Sequence, residues 1–173
     1  MDESTDSGSP SELTPRDPSV EDVVALCREL NSRGARYLVV GGFAIKHAGL
    51  ARNTQDIDLL VDPSLENEAR VFEALATLPD GCVRELDAGD ISRFIVVRVA
   101  DEVLVDLMAR ASGIDYEEAR HHVCVRELDG VEIPFASPEL LWRMKRHTHR
   151  AKDQGDLAFL RELFAAQGRQ PPE

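Results

Sequence analysis

The sequence predicts an α/β domain of the α+β type, with a mixed β-sheet flanked by helices and a C-terminal helical segment. Three observations predict it. Helical and strand patterns alternate as far as Leu78, strand patterns follow one another after Pro79, and helical patterns return at Ser137. A chain of 173 residues, 43% of them hydrophobic, is long enough to bury one core, so we expect a single folded domain.

Helices and strands are expected in alternation between residues 19 and 78. Each helix has apolar residues at helical spacing, with a capping residue at its start or a glycine at its end. Each strand is a short, largely apolar run. In order, the elements are a helix capped by Ser19 and ended by Gly34, the strand RYLVVGG, the short helix FAIKHAGL, the strand DIDLLVD and a helix capped by Ser64.

Strands dominate after Pro79, because turn residues interrupt the chain at short intervals. An Asp-Gly pair between the last two strand patterns predicts a hairpin, and the order Ser-Pro-Glu from Ser137 is typical of a helix start. In order, we expect the strands CVREL, SRFIVVRVA and EVLVDLMA, the short helix DYEEARHH, the hairpin VCVRELDGVEIPFA, a helix from Ser137 and the helix DQGDLAFLRELFAAQG.

Composition divides the chain into three parts. Residues 1–18 are acidic and rich in Ser and Pro, so we expect a disordered tail; residues 19–168 form the single domain, and residues 169–173 a flexible C-terminus. The chain has no signal-peptide pattern and no apolar run of the roughly 18 residues that a membrane span needs. We therefore expect a cytoplasmic protein without a membrane partner. Its cysteines are widely spaced and form no CxxC motif, which predicts reduced thiols and no zinc site.

The acidic balance argues against general nucleic-acid binding. The net charge is −12, of which the five acids and one arginine of residues 1–18 contribute −4, so the remainder carries about −8. Affinity for nucleic acid comes mainly from neutralised phosphates, which an acidic surface repels. The basic stretch from Arg143 to Lys152 is either a local docking strip for RNA or an ordinary solvated helix face. On a continuous helix, one side would carry Lys145, His149, Lys152 and Asp156.

Asp56 and Asp58 stand two residues apart at the start of an apolar strand. Side chains at i and i+2 point to the same face, roughly 7 Å apart, so two carboxylates repel one another if that face is buried. In most sequences of this kind both acids simply face water. Here Ile57, Leu59 and Leu60 make the strand largely apolar, and a divalent cation that prefers oxygen ligands would cancel the repulsion.

Two further features favour a phosphoryl-transfer site. Asp106 is a lone acid inside the apolar run EVLVDLMA, and a buried carboxylate is rarely left without a partner. Gly41 and Gly42 lie between a strand and a helix, where they let a backbone approach a phosphate, although a tight turn explains them equally well. Three carboxylates on neighbouring strands beside such a turn are typical of a two-metal centre.

The spacing of these residues resembles a known signature. An apolar strand, the pair GG at 41–42, thirteen residues and then DIDL at 56–59 are similar to the pattern of the polymerase-β-like nucleotidyltransferase superfamily. The longer string RNTQDIDL at 52–59 resembles its bacterial branch, which contains AbiEii-type toxins and uncharacterised nucleotidyltransferases. The resemblance covers residues 36–62 and extends to Asp106.

This resemblance implies a nucleotidyltransferase fold and a transferase that moves a nucleoside monophosphate (NMP) from a nucleoside triphosphate (NTP) to an acceptor. Mg²⁺ or Mn²⁺ would be the cofactor. By position, Asp56 and Asp58 would ligate the metals. Asp106 would be the third carboxylate and would take the acceptor's proton. Gly41 and Gly42 would hold the triphosphate.

The resemblance also assigns residues on either side of the acids. In AbiEii-like proteins a lysine and a later aspartate accompany the metal ligands, and Lys145 and Asp153 match them in order. Lys145 would neutralise the triphosphate and Asp153 would orient it or the acceptor, unless Asp153 forms a plain surface pair with Lys152. Arg52 either reaches a phosphate or caps the preceding helix, and Thr54 is expected to contact the nucleotide beside it.

The sequence does not identify the acceptor. A toxin would modify tRNA or a protein and would have an antitoxin protein as a partner. An enzyme of the antibiotic-modifying type would act on a small molecule, and an acidic surface attracts a cationic one. A housekeeping enzyme would modify proteins. Two alternatives differ in class: a non-catalytic nucleotide-binding or interaction module that keeps the fold, and a metal-dependent phosphodiesterase that releases NMP to water.

Overall fold

The computed structural model describes residues 14–173. The helices are α1 (Val20–Ser32), α2 (Gly41–Ala48), α3 (Leu65–Leu75), α4 (Asp90–Arg93), α5 (Tyr116–Ala119), α6 (Pro138–Lys145) and α7 (Ala151–Ala166). The strands are β1 (Tyr37–Val40), β2 (Asp56–Val61), β3 (Val97–Ala100), β4 (Leu104–Met108), β5 (Arg110–Ala111), β6 (Ile114–Asp115), β7 (Val123–Leu128) and β8 (Val131–Ala136). A 3-10 helix spans Cys82–Glu85.

The main sheet has six strands in the order β3-β4-β2-β1-β8-β7. It is mixed, as predicted, because β1 runs antiparallel to β2 whereas β2 is parallel to β4 and β1 is parallel to β8. Helix α1 packs on α3 and β8, and α2 packs on β1, β2 and α6. A second, two-stranded sheet of β5 and β6 was not predicted from the sequence. The mixed sheet flanked by helices confirms the predicted fold class.

Several local predictions are confirmed in their physical detail. Ser19 caps α1 in a reciprocal capping box with Asp22, and Ser64 and Ser137 accept hydrogen bonds from the first turns of α3 and α6. Caps of this kind contribute about 1 kcal/mol each. Asp129 and Gly130 both have positive φ, 48° and 75°, so the β7–β8 hairpin has the turn that an Asp-Gly pair favours.

Two of the predicted strands are wrong in whole or in part. The segment CVREL is the 3-10 helix, and only the end of SRFIVVRVA forms β3, because α4 takes its start. Buried carboxylates from distant positions hold both segments. Asp101 accepts hydrogen bonds from the amides of Asp80 and Cys82, and Glu68 accepts from the amides of Gly89 and Ile91. Long-range hydrogen bonds therefore override the local strand propensity of these two segments.

The continuous helix through the basic stretch, on which Lys145, His149 and Lys152 would share one side, does not form. Helix α6 ends at Lys145, and residues 146–150 reverse the chain before α7 begins. The amide and the hydroxyl of Thr148 both donate to the carbonyl oxygen of Lys145, each at 3.0 Å, which ends α6. His149 and Lys152 therefore do not extend a face that starts at Lys145, and the two helices pack against each other instead.

The predicted tail lies mostly outside the described residues, which exclude 1–13. Residues 14–18 contain no helix or strand, but the Arg16 amide donates to the carbonyl of Glu102 and its guanidinium pairs with Asp22. At the other end, the carbonyl of Pro172 accepts a hydrogen bond from an indole in α6. The division into tail, domain and C-terminus stays a prediction.

The described residues also bear on two smaller expectations. Cys27, Cys82 and Cys124 are free thiols. Between residues 14 and 173, no helix combines the length and the apolar character that crossing a membrane requires.

Candidate active site

A cavity of about 470 Å³ opens beside the ends of β1 and α6 and the start of β2, within the size range of about 300–1,000 Å³ typical of ligand sites. It is lined by Gly41, Gly42, Arg52, Thr54, Asp56, Asp58, Asp106 and Lys145. Those are all the residues predicted for the site except Asp153. Arg98, Arg150 and Lys152 also line it, and none of these three was predicted as a site residue.

The two glycines allow α2 to begin directly against the acids. Gly41 has φ +65°, and a Cβ on it would lie 2.1 Å from Oδ2 of Asp58. A Cβ on Gly42 would lie 2.6 Å from Oγ1 of Thr54. Any larger residue would therefore displace a cavity side chain. The N-cap of α2, Val40, makes no side-chain hydrogen bond, so the first amides of this helix are uncapped and suited to an anion.

Two parallel strands bring the three acids together. Asp58 of β2 stands directly opposite Asp106 of β4, and Asp56 lies two residues before Asp58 on the same face. One carboxylate oxygen from each residue lies within 4.8 Å of the others. Asp106 is buried, and the other two are half-buried, whereas the rest of β2 is buried. The three carboxylates could therefore hold a metal ion.

The electrostatics of the acids fit a divalent cation. Burial and, after it, the charges of Asp56 and Asp106 raise the pKa of Asp58 to about 7, against the opposing effect of Lys152 and Lys145. Ionised carboxylates in such a cluster repel one another unless a cation lies among them. The donor atoms are all hard oxygens of the kind that Mg²⁺ and Mn²⁺ prefer. By donor chemistry and spacing, the residues fit such an ion.

Asp106 has a partner within the protein, Arg98, which was not predicted from the sequence. Nε and Nη2 of Arg98 each donate to Asp106 at 2.8 Å, and Nη2 also donates to Oδ2 of Asp56 at 3.1 Å. These hydrogen bonds from the guanidinium to Asp106 raise the pKa of Arg98. Arg98 is the polar residue of an alternating strand and stands opposite Asp106. A prediction of how β3 pairs with β4 would have placed Arg98 opposite Asp106 and identified it as a site residue.

A second set of charges lies at the other side of the cavity. Nζ of Lys145 lies 2.8 Å from Oδ1 of Asp153 and 3.0 Å from Oδ2 of Asp156, and all three residues are buried. Nη2 of Arg52 donates to the same Asp156 oxygen at 3.2 Å. Arg52 therefore pairs with α7 and does not cap the preceding helix. Asp156 was not predicted as a site residue, although its one-turn spacing from Asp153 indicates a shared helix face.

Asp153 holds the lysine rather than lining the cavity. It is 0% exposed, so the alternative of a surface pair with Lys152 is wrong. Burial alone would raise the pKa of Asp153, but hydrogen bonds from Lys145, Thr148 and Arg150 lower it to about 2. Its carboxylate is thus a fixed negative charge that keeps Lys145 in place.

Two further features concern the hydroxyl of Thr54 and the positions of the basic residues. Thr54 is buried, and its Oγ1 has no hydrogen-bond partner among residues 14–173, so it is available to a ligand in the cavity. The basic stretch does not form one strip. Arg150 and Lys152 line the cavity, whereas Arg143 pairs with Glu118 of α5.

Comparison with known proteins gives a family for this chain and structures to which its fold is similar. Residues 19–169 match the family model of a "nucleotidyl transferase of unknown function (DUF2204)". The fold is similar to that of an antigenic nucleotidyltransferase-like protein from Paracoccidioides brasiliensis, with a TM-score of 0.52 and 19% identity over 86% of this chain and 78% of that one. It also matches a candidate nucleotidyltransferase from Thermotoga maritima, with a TM-score of 0.49 and 13% identity over 86% and 90%. No curated protein matches the sequence.

Proposed function

This chain belongs to the DUF2204 family of nucleotidyl transferases, and on that basis we propose that it is a metal-dependent enzyme that transfers NMP from an NTP to an acceptor. Family and fold support nucleotidyl transfer in general. The observation that carries the specific proposal is the convergence of three carboxylate oxygens within 4.8 Å beside the uncapped start of α2.

In this proposal the metals and the triphosphate would bind at separate places in the cavity. Asp56, Asp58 and Asp106 would hold Mg²⁺ or Mn²⁺, which when bound stabilises the charge that develops on the transferring phosphoryl group. The amides at Gly41 and Gly42 would bind phosphate oxygens, as helix starts do. The remaining contacts of the nucleotide would come from Arg52, Thr54 and Lys145.

Few residues of this chain would take part in the transfer reaction itself. The acceptor oxygen forms a bond to the α-phosphorus while the bond from that phosphorus to the bridging oxygen breaks, and pyrophosphate leaves with the electron pair. The acceptor's proton passes to the carboxylate of Asp106. Lys145 and Arg52 would donate hydrogen bonds to the leaving pyrophosphate, and their pairing with Asp156 fixes them before substrate arrives.

One assay distinguishes the proposal from its alternatives. The purified chain is incubated with Mg²⁺ or Mn²⁺ and each α-labelled NTP, together with tRNA, cellular protein or a small cationic hydroxyl compound as the acceptor. The proposal predicts pyrophosphate release and a labelled acceptor, both lost in Asp58→Asn but kept in Asp129→Asn, which alters an exposed turn. Nucleotide binding without any release would identify a non-catalytic module, and labelled NMP in water would identify a phosphodiesterase.

The acceptor decides whether the protein is the toxin of a toxin–antitoxin pair. Labelled tRNA or labelled cellular protein, together with growth arrest on expression and relief by a co-expressed neighbouring gene, would support a toxin with an antitoxin partner. Labelling of the small compound alone, without growth arrest, would contradict it.

A further inference from the structure

Arg98 occupies the space between two of the three acids. It lies on the edge strand β3, directly opposite Asp106, and its guanidinium donates to both oxygens of Asp106 and to one oxygen of Asp56. A metal shared by these carboxylates would draw on the same limited set of about four lone-pair sites per carboxylate, of which Arg98 already occupies two on Asp106 and one on Asp56. An N–H donor and a metal ion cannot both use one lone pair, so the two cations compete.

We infer that Arg98 is a resident cation of the acidic cluster, which stabilises the metal-free protein and must release Asp56 before a divalent ion can bridge Asp56 and Asp106. The inference rests on the metal-binding part of the proposed function. It makes Arg98 a positioning residue, because it acts through the carboxylates rather than on the reacting atoms.

The position of Arg98 suits a side chain that moves. Its side chain is 52% exposed although its partner Asp106 is 8% exposed, so the guanidinium reaches in from solvent. The neighbours Val97 and Val99 point into the core and anchor the strand without it. Arg98 can therefore leave Asp56 for solvent, or stay on Asp106 alone, without any change in the packing of the sheet.

Charge balance explains why such a cation is present. Asp56, Asp58 and Asp106 are three acids within reach of one ion, and Arg98 is the cation that forms hydrogen bonds with two of them. Without metal, it reduces their repulsion. With metal, its own charge opposes binding. Because coupling between two sites is reciprocal, the part of the stabilisation by Arg98 that is lost when the metal binds must weaken metal binding by the same factor.

The test measures metal binding and stability rather than turnover. Arg98→Met removes the charge and keeps the bulk, and Arg98→Lys keeps the charge but loses the fork of donors. Arg120→Met is the matched control, because Arg120 is 48% exposed and pairs with an exposed acid on α5. Mn²⁺ binding is followed by calorimetry without nucleotide, and thermal unfolding is compared in chelator and in Mn²⁺.

Arg98→Met is expected to bind Mn²⁺ on the order of tenfold more tightly than the unaltered protein, with Arg98→Lys intermediate and Arg120→Met unchanged. Arg98→Met should unfold at a lower temperature in chelator and regain that loss in Mn²⁺. A merely structural role predicts an equal loss in both conditions and no gain in affinity, and either result overturns the inference. If Mn²⁺ bound but no transfer occurred, the proposed activity would fail while the role of Arg98 stood.

Discussion

The two sides of the cavity bury charge in different ways. The acidic wall consists of Asp56, Asp58 and Asp106, and among residues 14–173 its ion pairs are those of Arg98 with Asp56 and Asp106. In the basic wall, Arg52 and Lys145 are matched by two buried aspartates of α7. An internally balanced wall is a scaffold that is complete before any ligand arrives. The unbalanced wall is where the proposed metal would bind.

The same contrast is visible in two pKa values. Burial and its acidic neighbours raise the pKa of Asp58 to about 7. Asp153 is more deeply buried, yet hydrogen bonds from cationic and hydroxyl groups lower its pKa to about 2. The difference between the two pKa values therefore depends on the groups that surround each carboxylate and not on burial alone.

The largest expected effect comes from Asp58→Asn. Loss of a metal ligand should reduce transfer activity by about 10³-fold or more, since metal stabilisation of the transition state amounts to several kcal/mol. The same change should raise the unfolding temperature in chelator, because it removes a carboxylate from a repelling cluster. Activity and unfolding temperature would thus move in opposite directions. Asp129→Asn should change neither, and a destabilised Asp58→Asn would mean that the acidic wall is balanced after all.

Lys145→Met tests the basic wall. It leaves Asp153 and Asp156 buried without their lysine, and breaking a buried ion pair in this way costs about 3–5 kcal/mol. Urea unfolding should report this loss. The double variant Lys145→Met with Asp156→Asn should recover part of it, because one of the two stranded charges is gone. Equal stability of the single and double variants would show that Asp156 is neutralised by Arg52 alone.

The pH dependence of stability should separate the walls further. A carboxyl group whose pKa is raised on folding stabilises the protein below its unfolded pKa, and this stabilisation is lost as the pH rises through the folded value. In chelator, the unaltered protein should therefore lose stability relative to Asp58→Asn between about pH 4 and about pH 7. The contribution of Asp153 to stability depends on pH in the opposite direction, because its folded pKa is lowered. That contribution is lost as the pH falls from about 4 towards 2.

The measurement is urea unfolding of both proteins at a series of pH values. The gap in unfolding free energy between Asp58→Asn and the unaltered protein should widen over that interval and then stay constant. A constant gap from pH 4 upward would mean that the Asp58 carboxyl ionises normally in the folded protein.

Most of the site residues predicted from the sequence are encoded within a short stretch. The glycines, Thr54 and the two acids of β2 lie within residues 41–58, where their spacing resembles a known signature, and the same resemblance extended the prediction to Asp106 and Lys145. Arg98 and the partners of Lys145 depend on which strands and helices become neighbours. For the same reason, the 3-10 helix and α4 were mistaken for strands, since the carboxylates that hold them are about twenty residues away.

The smallest effect is expected from Arg143→Ala. Arg143 belongs to the basic stretch but pairs with Glu118 outside the cavity, and such partly exposed pairs contribute no more than about 1 kcal/mol. Its removal should change urea stability little and leave pyrophosphate release unchanged. If the stretch were a docking strip for RNA, the same variant would weaken tRNA binding and reduce its salt dependence. Because the chain reversal at residues 146–150 separates Arg143 from the cavity-lining Arg150 and Lys152, we expect no such loss, and a salt-dependent loss would show that both ends of the stretch bind one acceptor.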